Sequence, residues 1–301
     1  MKAVLHTLLY MSIAALVACT QDTPAPTSQG HMPLSIGMEH PTATRATATA
    51  FETGDVAGVY VCADTATLQA GGNTVTNEPL TCVGQGKTWS ARTSLFWDEG
   101  RYSIYAYYPY QGAVESVTDM PFAVRLDQST ARLWATPGGY EASDLLWASA
   151  QSVQASANMV TLRFGHVMSR LTIRLIKGED FQGEMPTEAQ VYVHGTVPEA
   201  TIDLARGEAT KYMYGREATI RAHQRSNYVY EAIVVPQRIT RRRPLVEVVM
   251  KGGVVPLREH LRVQGGHRPS AQHRHHRQPR QGHHRRGRGD QGMVTERYTH
   301  E

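Results

Sequence analysis

The sequence lacks most of what catalysis and helical folds require. No long amphipathic helical run is present, which excludes architectures built by packing helices on one another. No Ser/His/Asp spacing, zinc motif or evident carboxylate pair occurs, so the chain reads as a non-enzyme without metal or cofactor. The nearest approach to a phosphate loop, Gly84-Gln85-Gly86-Lys87, has Thr81 where the first glycine belongs. A net positive charge is missing from the body of the chain. Nine arginines against three acidic residues in 260–301 more than account for the net +4, so residues 1–259 give no reason to expect a nucleic-acid partner. Cysteine is scarce, with three in 301 residues.

What is present begins with an export signal. Lys2 precedes an apolar run over residues 3–17, too short for a comfortable membrane span, which predicts a signal peptide over 1–18. Leu16-Val17-Ala18-Cys19 resembles the bacterial lipobox, and that resemblance implies lipidation of Cys19 and attachment to a membrane by several acyl chains. In an exported chain the remaining pair, Cys62 and Cys82, either closes a disulfide across a turn-rich segment or stays as two thiols on different faces. Residues 19–49, rich in Thr, Pro, Ala and Ser, read as a tether, with Leu34-Ser35-Ile36 as room for one early strand.

Short strands separated by Gly/Pro turns follow. The densest aromatic and β-branched stretch, residues 96–110, predicts a strand with Tyr102, Ile104, Ala106 and Tyr108 on one face. Ser103, Tyr105 and Tyr107 take the other, until Pro109 removes a ladder donor. Both faces carry large groups, so the stretch reads as core in preference to an aromatic binding platform. Asp55 follows Gly54 and reads as a turn residue rather than a metal ligand or acid. His166 has no second ligand at metal spacing and reads as a packed structural histidine. A small polar link over 149–158 marks a boundary. The chain thus divides into 50–157 and 158–259, an all-β protein of two β-sandwich domains in tandem. Residues 228–236, a strand stopped by Pro236, echo residues 102–109.

Several pieces together resemble the fimbrillin-like (Mfa-like) family of Bacteroidales surface lipoproteins, the type V pilus subunits. They are the lipobox, Thr44-Arg45-Ala46 ahead of Phe51-x-x-Gly54-Asp55-x-x-Gly58-Val59-Tyr60, the stretch 102–110, Asp144-Leu145-Leu146-Trp147-Ala148, Phe164-Gly165-His166 and Ile233-Val234-Val235-Pro236-Gln237. The resemblance implies transthyretin-like sandwiches, an outer-membrane lipid anchor exposed at the cell surface, and other fimbrial subunits as partners. It also implies cleavage at Arg45 by an Arg-directed protease. That cut removes an early strand and opens a groove for a neighbour's donor strand, usually supplied from the C-terminus. The alternative is an uncut surface lipoprotein that binds a glycan or peptide.

From His260 the composition changes to His, Arg, Gln, Gly and Pro, with eight of the fourteen histidines and almost no apolar residues. A metal-binding tract, a basic nucleic-acid arm and out-of-frame translation are the three readings. The third is adopted. Read one nucleotide later, the Met293 codon forces tryptophan, and two of the four valine codons for Val294 then give a stop. A frame change near Glu259 predicts a second sandwich truncated at its C-terminal strands and poorly folded after about Arg238.

Overall fold

Period-2 alternation, wherever it runs through β-branched and aromatic residues, becomes a strand. The computed structural model describes residues 32–41, 50–84, 88–177, 184–185, 187–239 and 245–250, with the backbone of 253–255 and 263–266. The first strands are β1 (Met32–Pro33), β2 (Ile36–Glu39), β3 (Val56–Ala63), β4 (Val75–Gly84), β5 (Thr88–Ala91), β6 (Phe96–Trp97) and β7 (Arg101–Tyr108). Next are β8 (Met120–Ala123), β9 (Leu146–Gln154), β10 (Val160–Arg163) and β11 (Gly165–His166). They are followed by β12 (Ser169–Arg174), β13 (Ala189–Thr196), β14 (Glu199–Asp203), β15 (Glu208–Lys211) and β16 (Ala218–Arg221). The last are β17 (His223–Ser226), β18 (Val229–Val234), β19 (Val246–Met250), β20 (Gly253–Val255) and β21 (Val263–Gly266). A single 3₁₀ turn, Glu141–Ser143, is the helical element among the described residues. No described helix is long and apolar enough to cross a membrane. The fold is all-β, as its alternation predicts.

A six-stranded sheet, ordered β11-β9-β7-β3-β4-β5, organises the first half. β7 lies inside it, between β9 and β3, and both faces are covered. Tyr102, Ile104, Ala106 and Tyr108 enter one core, while Tyr107 and Tyr105 pack into another. The aromatic stretch is core, as read. Gly58 explains itself here, because a Cβ at that position would stand 2.4 Å from the Tyr107 ring.

The first core is closed by a second layer made of the pairs β1–β6 and β2–β10. This corrects two boundaries. Residues 32–39, placed in the tether with room for one early strand, carry β1 and β2, and Leu34, Ile36 and Met38 are buried. β10 pairs in parallel with β2, and Leu162 and Phe164 fill the first core, so the first unit runs past residue 158. The polar link at 149–158 misled because its first residues continue β9 to Gln154.

The second half carries sheets β17-β18-β12-β21 and β16-β13-β19-β20. β8, expected within the first sandwich, instead pairs with β14 in a third sheet, β15-β14-β8. The second core is continuous with the far face of the six-stranded sheet, joining Tyr60, Tyr107 and Trp147 to Ile173, Val193 and Ile202. The sandwich also does not stop at residue 259. The backbone of β21 lies antiparallel on β12, with Ile173 opposite Val263 and Arg170 opposite Gly266. β19 and β20 likewise form after Arg238. Residues 267–301 lie outside the described residues.

Candidate functional site

The site best defined by the strands is the seat of β1 and β2, which precede the rest of the fold across residues 42–49. β1 runs antiparallel to β6, with Met32 opposite Trp97 and Pro33 opposite Phe96. The Leu34 N–H then donates to Leu95 O at 2.9 Å. β2 turns onto the other pair, with Ile36 opposite Val160 and Met38 opposite Leu162. The Val160 N–H donates to Ser35 O at 2.9 Å and the Phe164 N–H to Glu39 O at 3.0 Å. At the open end Arg163 Nε meets Glu39 Oε2 at 3.0 Å, both exposed. Leu34, Ile36 and Met38 alternate into the first core, each burial contributing about 1.5–3 kcal/mol. The seat is therefore a slot for three alternating apolar side chains.

Beside the seat a groove of about 510 Å³ runs along β5, walled by Leu34, Ile36, Leu80, Trp89, Leu95 and Met159. Trp89 Nε1 is buried there without a hydrogen-bond partner among the described residues. β5 is an edge of the six-stranded sheet.

The residues singled out from sequence fall unevenly. Cys19 and Arg45 lie outside the described residues. Cys62 and Cys82 are both buried and free, the second of the two alternatives the sequence left open. They sit at opposite ends of the β3–β4 pair. The Cys82 N–H donates to Asp55 O, seven residues before Cys62 on the β3 side, a separation of about 23 Å where a disulfide needs Cα atoms within about 7 Å. They also face opposite ways. Cys82 enters the first core, while the Cys62 thiol points from the other face towards Ser103 O at 3.8 Å. Burial and Asp64 push the Cys62 thiol pKa upward.

Asp55 is a turn residue, accepting from the Glu52 N–H at 2.8 Å. It also accepts from Tyr108 OH at 3.1 Å and from Arg132 Nη2 at 2.8 Å, while only 3% exposed. Burial, then the Asp55 charge, push the Tyr108 pKa upward. No local pattern marks Arg132, which lies 77 residues from Asp55. His166 is packed and pairs through Nδ1 with Asp144 at 2.8 Å. Among the described residues no three His, Cys, Asp or Glu converge as a metal set.

A fimbrillin-like family model matches residues 44–264. The chain belongs to the fimbrillin-like family. Its fold is shared with a "putative cell adhesion protein" from Bacteroides uniformis, 19% identical, at a TM-score of 0.54 over 73% of this chain and 79% of that one. A "putative cell adhesion protein" from Bacteroides ovatus, 20% identical, gives 0.53 over 79% of this chain and 87% of that one. No curated protein matches the sequence. The family match runs through the seat's partner strand β10 and ends inside β21. In this fimbrillin-like chain Leu34-Ser35-Ile36 marked an early strand, while its parallel partner β10 could not be read from so short an alternation.

Proposed function

We propose that this chain is a cell-surface fimbrial subunit, exported and lipidated at Cys19, whose assembly depends on exchanging β1–β2 for a strand from a neighbour. The observation that carries this reading is the seat itself. Three alternating apolar residues of the segment before Arg45 complete the first core, and β2 meets its partner in parallel, the slightly weaker pairing per residue. A cut at Arg45 leaves that segment held by non-covalent contacts alone. A donor strand with the same alternation can then take its place and bury the same surface. Family membership supports the fimbrial role.

The test is digestion of the full chain with an Arg-specific protease. The cut chain should capture an added peptide spanning residues 32–41 in SDS-resistant form, and uncut chain or Arg45→Gln should not. Release of the N-terminal peptide with no capture, or capture by Arg45→Gln, overturns strand exchange.

A further inference from the structure

A second cavity lies where the two halves of the fold meet. After β8 the chain forms a loop closed by the Leu133–Thr136 bridge, which lays Arg132 on Asp55 beside the start of β3. Tyr140, beside the 3₁₀ turn, reaches across to β18 and donates its hydroxyl to Glu231 at 2.8 Å. These contacts border a space of about 320 Å³. That is the low end for a small-molecule pocket and suits a single side chain.

The wall is acidic. Glu52, Asp55, Glu141, Asp144 and Glu231 line it against two guanidinium groups, those of Arg132 and Arg225. The imbalance is uneven. Glu231 has Arg225 at 2.9 Å and Arg170 at 3.6 Å, and Asp144 has His166 at 2.8 Å. Around Arg132, three carboxylates share one guanidinium. Asp55 takes Nη2 at 2.8 Å, while Glu141 and Glu52 both crowd Nε, at 2.9 and 3.3 Å. Nε carries one hydrogen, and two like charges held on one atom repel each other. Both glutamates use Oε2 there. Among the described residues, Oε1 of Glu52 and Oε1 of Glu141 accept from no donor. The two side chains are 56% and 30% exposed, so both oxygens belong to reachable groups. A second guanidinium would bring donors in a fixed fork and the missing positive charge.

The chain carries one within reach. His40 and Pro41 line the cavity, and so do Ala50, Phe51 and Glu52. The connection between them, residues 42–49, holds one charged residue, Arg45. Arg45 is four residues from Pro41, a distance of about 14 Å at full extension. Its side chain is therefore confined near the wall. A short connection anchored at both ends gives an effective concentration of about millimolar order, enough to populate a weak charge-assisted contact.

We propose that in the uncut chain the Arg45 guanidinium docks in this cavity against Glu52 and Glu141, and that docking slows cleavage at Arg45. An Arg-directed protease must take the same side chain into its own pocket, so cavity and protease compete for it. The inference rests on Arg45 as the processing site and not on strand exchange, which follows the cut.

The test is the rate at which an Arg-specific protease cuts the full chain at Arg45, at about pH 8, where histidines are neutral. Glu52→Gln should be cut about threefold faster than the unaltered chain, and Glu52→Gln/Glu141→Gln about tenfold faster. Free peptides spanning residues 41–53, with Glu or Gln at position 52, correct for the protease's own preference. In a double-mutant cycle, Glu52→Gln should lower the denaturant midpoint of the chain more than it lowers that of Arg45→Gln. Should the double variant fail to fold, Glu52→Gln decides alone. Equal cutting of Glu52→Gln and the unaltered chain after the peptide correction, or equal midpoint shifts in the two backgrounds, overturns docking. Capture of the 32–41 peptide after the cut reads strand exchange separately, so either reading can fail without the other.

Discussion

Gln128 and Ile233, 105 residues apart, exchange two hydrogen bonds of 2.7 Å inside the protein. The Gln128 amide donates through Nε2 to Ile233 O, and its Oε1 accepts from the Ile233 N–H. One fully buried side chain thus satisfies both backbone groups of a residue in β18 and ties the loop carrying Arg132 to the second half. Gln128→Ala leaves both groups buried and unpaired. It should destabilise the protein by about 2–5 kcal/mol in denaturant unfolding.

Trp147 closes the seam from the other side. Its Nε1 donates to Leu204 O at 2.7 Å, and its ring lies over Gly207, where an added Cβ would stand 2.3 Å away. Gly207 also has φ +69°, so any side chain is strained as well as obstructed. Gly207→Ala should cost about 2–4 kcal/mol and shift Trp147 fluorescence, whereas the open Gly71→Ala should leave both unchanged.

Free, buried thiols make a redox prediction. In protein lacking Cys19, Cys62 and Cys82 should resist an aqueous thiol reagent in the native state and both react once unfolded. Unfolding midpoints with and without reductant should coincide. A mass two hydrogens lighter before reduction would mean a bond that the β3–β4 register forbids.

His223 sets a pH dependence. Burial pushes its pKa below the usual histidine range, against the pull of Glu231 and Glu141 and with help from Arg225. The unfolded chain then takes up a proton before the folded one as pH falls. Stability present above the ordinary histidine value of about 6.5 is lost as pH falls through it towards the lower folded value. Chemical denaturation between pH 7.5 and 5 should give a falling midpoint, and His223→Gln should flatten the profile. Asp64 and Asp127, whose pKa values are lowered chiefly by serine hydroxyls, add their own losses only near the carboxylate range.

The polar segment after Glu259 makes a prediction about the gene. DNA sequencing across the Glu259 codon should reveal a frame interruption. The repaired frame should restore alternating strands and yield oligomers after cleavage at Arg45. An uninterrupted frame, with the His/Arg peptides found in the protein by mass spectrometry, would make the tail genuine.

Within β7 the sequence assigned each side chain to its face correctly. Alternation is a local property, and two covered faces need large residues at both parities. The turn role of Asp55 was equally local, because its acceptor serves an N–H three residues away. Partnership across the chain was not legible. Nothing near Asp55 or Gln128 announces Arg132 or Ile233, and the early strand suggested by Leu34-Ser35-Ile36 gave no sign that β10 would be its partner. The cysteine spacing suggested proximity, while the strand register placed the thiols at opposite ends and on opposite faces.

The sequence by itself determined the all-β class, the strand faces and the marks of the fimbrillin-like family, because these follow from alternation and short motifs that each segment carries whole. The tertiary structure decided that β2 fills a slot in the first core, that β8 joins the second half, and that a paired, half-satisfied polar wall encloses a cavity between them. Those outcomes depend on which distant segments meet. Register and burial are shared properties of two segments, and neither segment states them alone.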